Sequence, residues 1–178
     1  MCNNSLNTLM TNPFHISINE VNTDLFSQDL WSIWKLIRSK ISYEDIKMMD
    51  HINMDDLCYS ARWEYDQGRQ VTDHQVDQAI NNIKKYHSKI NELFEEYDFL
   101  AIPSAQVFPF DINVNFPKKI GSYRLNTYHK WMEVSIIASL FQLPTLSVPV
   151  GLNNSDLPMG MQITVSYTHL TLPTTVSV

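Results

Sequence analysis

His129 and Glu133 stand one helical turn apart in Thr127-Tyr128-His129-Lys130-Trp131-Met132-Glu133. On an α-helix, residues four apart share a face, so an imidazole and a carboxylate at this spacing can meet as a base and its orienting acid. Nucleophilic hydrolysis by serine asks for more: a hydroxyl, a base that deprotonates it, and donors that hold the oxyanion. No Gly-Gly-Ser-Ser-Gly-like run is present, each of the four glycines stands alone, and no serine has a lysine in a recognisable setting. The six histidines are far apart and Cys58 lacks a CxxC partner, so zinc-ligand spacing is missing. Asp50-His51-Ile52-Asn53-Met54-Asp55-Asp56 has acids but neither the glycine nor the closing glutamate of a calcium loop. Without a phosphate-cradling loop either, no metal and no cofactor is expected.

The elements that would position such groups are legible in parts. Leu30, Ile33, Trp34, Ile37 and Ile41 recur at helical spacing behind Ser27, a plausible N-cap with Asp29 in the first turn. A second helix is expected over 54–66, ending near Gly68, with Tyr59, Trp63 and Tyr65 as packing residues. Thr72-Asp73-His74-Gln75 reads as a capping box, followed by Val76, Ile80, Ile83, His87, Ile90, Phe94 and Tyr97 along one long helix. Phe99-Leu100-Ala101-Ile102 reads as a buried strand halted by Pro103, and Pro109 and Pro117 punctuate the loop that follows. Thr127 is expected to cap a helix through Trp131, Val134, Ile137 and Ala138. Two strands, 146–150 and 159–163, would be joined by Asn153-Asn154-Ser155-Asp156, with Pro149 marking an edge or a bulge. Phe14-His15-Ile16-Ser17-Ile18 alternates like a short strand within a poorly defined segment, 1–26.

The 178 residues suit one ordinary domain, with 44% hydrophobic and 18% charged residues. A net charge of -6 without a basic face argues against a nucleic-acid partner. No apolar run reaches the length of a membrane span and no signal peptide is evident, so a soluble, cytoplasmic protein is expected. Cys2 and Cys58 are expected as free thiols. Four glycines fall short of the ~7% of an ordinary chain, as though a glycine-rich part lay elsewhere.

The composition breaks at Thr164, beyond which no charged residue occurs. Val165-Ser166-Tyr167-Thr168-His169-Leu170-Thr171-Leu172-Pro173-Thr174 is similar to the translation of a transposase-end sequencing adaptor. Residues 164–178 are therefore expected to be foreign to the natural protein, and His169 is given no chemistry.

Tyr97-Asp98-Phe99-Leu100-Ala101-Ile102-Pro103-Ser104-Ala105-Gln106-Val107-Phe108-Pro109-Phe110-Asp111, the Thr127–Glu133 stretch, Leu146-Ser147-Val148-Pro149-Val150-Gly151 and Leu157-Pro158-Met159-Gly160-Met161-Gln162-Ile163 together resemble the closing part of an amidase signature enzyme. The resemblance runs from about Leu30 to Ile163 and favours the stand-alone amidase branch over its relative, the A component of glutamyl-tRNA amidotransferase. It implies an α/β fold, a mixed sheet covered by helices, of which residues 27–163 form the C-terminal part. It also implies hydrolysis of a carboxamide C–N bond through an acyl-enzyme on a Ser–cis-Ser–Lys triad. The triad segment is not recognisable here, so no catalytic residue carries over, and a chain without it is expected to be inert and poorly soluble alone. Because that chemistry uses serine and lysine, His129 with Glu133 is read as structural and Trp131 as core. One departure stands out: Phe141-Gln142 precede Leu143-Pro144 where the family usually has Ala-Gly, and a Phe there would overpack the helix end by about 1–3 kcal/mol.

In the family the loop after Pro103 lies by the substrate entrance, which makes Ser104, Gln106, Phe108 and Asp111 the expected substrate-binding positions. Ser104 and Gln106 would hydrogen-bond an amide, Phe108 would supply apolar wall, and Asp111 would orient a polar substrate. The expected partner is a small-molecule amide, with no nucleic acid and no membrane, and a homodimer is admissible. The alternative is a non-catalytic interaction module on the same scaffold, which a Gly/Ser-rich segment in frame upstream would rule out.

Overall fold

A computed structural model describes residues 1–10, 16–21 and 27–167. It divides into two compact units, one of Met1–Thr23 with Ile90–Val178 and one of Asp24–Lys89.

A short helix α1 (Cys2–Met10) belongs to the first unit, and α2 (Gln28–Met48) is the first helix of the second. The Ser27 hydroxyl accepts from the Leu30 amide at 3.5 Å, with Asp29 in the first turn, as expected of this cap. Leu30, Trp31, Ile33 and Ile46 are buried, whereas Ile41 is 55% exposed and leaves the expected stripe. The inward line passes through Ser39 instead, because α3 (Tyr59–Gly68) docks there. Glu64 on α3 is 2% exposed and accepts from Arg38 Nε at 2.8 Å and Ser39 Oγ at 2.6 Å. α3 ends at Gly68, as expected. A Cβ there would collide with the Ser39 carbonyl and stand 2.6 Å from Tyr43 Cβ, so the missing side chain lets the helices close up. The expected 54–66 helix is split. A 3-10 turn at Met54–Asp56, capped by the Asn53 side chain, gives way to extended backbone at Leu57 and Cys58 before α3 begins.

The capping box at the start of α4 (Asp73–Glu96) forms as expected: Gln75 N donates to Thr72 Oγ1 at 3.3 Å and Thr72 N to Gln75 Oε1 at 2.9 Å. The inward line of α4 follows the expected one at Val76, Ile83, Ile90 and Phe94 and departs from it at two positions. Ala79 is buried and Tyr86 half-buried, while Ile80 and His87 are exposed.

In the first unit, β1 (Leu100–Pro103), β4 (Thr145–Leu152) and β5 (Pro158–Thr164) form a sheet in the order β1-β5-β4, antiparallel throughout. β1 is the short strand expected before the proline-punctuated loop. β4 is both an edge strand and bulged, since its register shifts between Pro149 and Gly151, where Gly151 takes φ 112°. The expected polar turn joins β4 to β5: Asn153 Oδ1 accepts from the amides of Ser155 at 2.8 Å and Leu157 at 3.0 Å. A two-residue ribbon, β2 (Lys119–Ile120) with β3 (Tyr123–Arg124), turns at Gly121 with φ 55°.

The helix expected from Thr127 is mostly not α-helical. A 3-10 segment, Lys130–Ser135, is kinked at Met132 (φ -111°, ψ 21°) and only Ile136–Leu140 forms α5. Thr127 does not cap it; its hydroxyl bonds His129 Nδ1 at 3.0 Å. Residues 14 and 15 of the short strand expected at 14–18 lie outside the described residues, and Ile16 to Val21 carry no regular structure. Of the tail beyond Thr164, only residues 165–167 are described.

Candidate functional site

Alternation along the strands places Thr145 and Ser147 of β4 on the face that carries Gly160, Gln162 and Thr164 of β5. Just past β1, Ser104 continues that face, since Pro103 pairs with Met161 and the Ser104 amide donates to the Gly160 carbonyl at 2.9 Å. β5 lies between β1 and β4, so Ser104 and Ser147 approach from opposite sides. Their hydroxyls meet over Gly160 at 2.7 Å. A Cβ on Gly160 would stand 2.8 Å from Ser104 Oγ and 3.1 Å from Ser147 Oγ, so this contact needs glycine in the middle strand. Beneath it, Gln162 is buried and donates from Nε2 to the Pro103 carbonyl at 2.9 Å, fixing the strand end from which Ser104 projects. Thr145 and Thr164 pair through their hydroxyls at 3.0 Å farther along the same face.

Among the described residues, Ser104 is the one of the four expected loop positions whose side chain bonds to the sheet. Gln106 has an exposed side chain and is held by its backbone, its amide donating to the Trp131 carbonyl at 3.2 Å. Phe108 is half-buried. Phe110, outside the four expected positions, packs edge-on against Trp131 with ring centroids 5.5 Å apart. The Asp111 carboxylate closes its own turn, accepting at Oδ1 from Asn113 N at 2.8 Å and Asn113 Nδ2 at 2.9 Å.

His129 and Glu133 do not pair. The kinked 3-10 backbone removes the four-residue helical spacing, and Glu133 pairs instead with Lys130. His129 is fully buried, bonded to Thr127 and stacked on Tyr128 at 4.6 Å. That is a packing position, as expected of it. Among the described residues no three of His, Cys, Asp and Glu are grouped to hold a metal, and no helix is long and apolar enough to cross a membrane. Away from the sheet, Cys58 is exposed at the start of α3. A hydrogen bond with the Ser60 hydroxyl at 3.2 Å, then one from the Ala61 amide, holds its thiol below the ordinary value.

Ser147, Gly160 and Gln162 are not recognisable as site residues from the sequence alone. A signal is present in Gly160, a glycine inside a strand pattern, which marks a close approach.

The amidase family model matches residues 14–169, and the chain belongs to that family. It is 38% identical over 89 residues to the A component of the glutamyl-tRNA(Gln) amidotransferase of Saccharolobus solfataricus, a match covering 49% of this chain and 16% of that one. The corresponding protein of Treponema denticola is 28% identical over 86 residues, with 48% and 16% covered. Among solved structures, one described as an amidase superposes with a TM-score of 0.78 at 14% identity, covering 94% of this chain and 38% of the other. A bacterial aryl acylamidase of the amidase signature family superposes with a TM-score of 0.71 at 16% identity, covering 93% and 36%. Identities this low show the fold: helices with a sheet, matching part of the amidase signature architecture. The matched region spans about a sixth of the length of these curated relatives.

Proposed function

We propose that this chain carries part of the substrate-binding wall of an enzyme that hydrolyses carboxamide C–N bonds. In the chemistry the family resemblance implies, a serine hydroxyl adds to the amide carbonyl, a lysine-backed serine hands the proton to the departing amine, and water releases the acyl group. The nucleophile, its bridging serine and the lysine are not recognisable among these residues. The role left to this segment is recognition. Small aliphatic or aryl amides are the expected substrates, with Ser104 presented at the sheet face and Gln106 and Phe108 on the loop that leaves it.

The observation that carries this reading is Ser104, whose backbone amide donates to the Gly160 carbonyl beside the Gln162-bound Pro103 carbonyl and whose hydroxyl meets that of Ser147 at 2.7 Å on the sheet face. Saturation-transfer NMR with benzamide tests it. Saturable transfer to the benzamide ring is expected, weakened by Ser104→Ala and by Phe108→Ala. Transfer equal in the wild type and both variants contradicts the reading.

A further inference from the structure

From the Ser104–Ser147 pair we infer a two-point receptor selective for primary carboxamides, an inference that rests on the substrate-wall reading above. Two hydroxyls contain two protons, and one is consumed in the 2.7 Å bond between them. The pair therefore offers one remaining O–H donor beside the lone pairs of the neighbouring oxygen. No side-chain or backbone group among the described residues makes a further bond with either hydroxyl, and Ser147 is exposed. A primary carboxamide presents the complementary pattern, a carbonyl acceptor beside an N–H donor on the same side. Bond lengths of the amide group put its oxygen and nitrogen about 2.2 Å apart, close to the spacing of the two hydroxyl oxygens.

The same geometry discriminates. A secondary amide is trans, so its single N–H points away from its carbonyl and cannot engage both hydroxyls at once. A carboxylate offers two acceptors to a pair with one free donor. Neither makes both contacts. Gly160 is the enabling residue, because any side chain there would occupy the space in which the hydroxyls meet.

Calorimetric or NMR titration of the chain with benzamide and with N-methylbenzamide reads this directly. Benzamide is expected to bind about fivefold more tightly than N-methylbenzamide, the value of roughly one neutral hydrogen bond, and Ser147→Ala is expected to erase that preference. Ser147→Thr, which keeps the hydroxyl, is expected to retain it, which separates loss of the hydroxyl from any general disturbance of β4. Equal affinities for the two ligands in the wild type, or a preference unchanged in Ser147→Ala, overturns the assignment while leaving the substrate wall in place. A wild-type chain that binds neither ligand overturns both.

Discussion

Gln142 occupies a backbone position that any side chain resists. It takes φ 53° just after α5, where the Leu143 amide returns to the Ala138 carbonyl at 2.9 Å and the Phe141 amide to Ile137 at 3.1 Å. This is the hydrogen-bond pattern that ends helices with a left-handed residue, ordinarily glycine. A left-handed conformation costs a residue with a Cβ about 1–2 kcal/mol, so Gln142→Gly is expected to raise stability by about 1 kcal/mol in urea unfolding. The preceding Phe141 is accommodated, 5% exposed in the core, so the helix end keeps its form despite the larger side chain. Cys58 offers a second test at this scale. The Ser60 hydroxyl and then the Ala61 amide favour its thiolate, so the pH midpoint for its alkylation by iodoacetamide lies below that of the unfolded chain. Ser60→Ala removes the larger of these influences and should move that midpoint upward, read by mass spectrometry of the Cys58 peptide.

Among the elements, those with local chemical punctuation are legible in advance. Ser27 and the Thr72–Gln75 box mark two helix starts, Pro103 ends β1, and Asn153–Asp156 joins β4 to β5. What escapes is decided by neighbours distant in sequence. The inward faces of α2 and α4 depart from the simple apolar stripe at single positions: Ser39 meets α3 while Ile41 is exposed, and small Ala79 packs inward where Ile80 was expected. The Lys130–Ser135 segment carries apolar residues at helical spacing, yet its kink at Met132 leaves no α-helix there. The candidate site is half legible for the same reason. Ser104 can be reached from its loop, but Ser147 lies 43 residues away and meets it only through the pairing of three strands. At this scale Gly68→Ala is expected to destabilise the chain by about 2–3 kcal/mol, since the added methyl meets fixed backbone at Ser39. A melting midpoint unchanged from the wild type would contradict the close approach of α2 and α3.

At the scale of the whole molecule, β4 has β5 on one side and no strand on the other among the described residues. Leu146 and Leu152 along it are 64% and 59% exposed. An unpaired edge with apolar side chains favours association, so sedimentation of the isolated chain is expected to be concentration-dependent and Leu146→Lys to reduce that dependence. On the proposed reading, recognition and reaction are divided: the hydroxyl pair would bind the amide, and no nucleophile and lysine are recognisable in this chain. One calorimetric titration with benzamide addresses both halves, because binding gives heats that saturate whereas turnover gives heat that persists after each injection. Saturating heats with no sustained signal are the predicted result. Sustained heat that scales with the concentration of chain, or no binding heat at all, would contradict it.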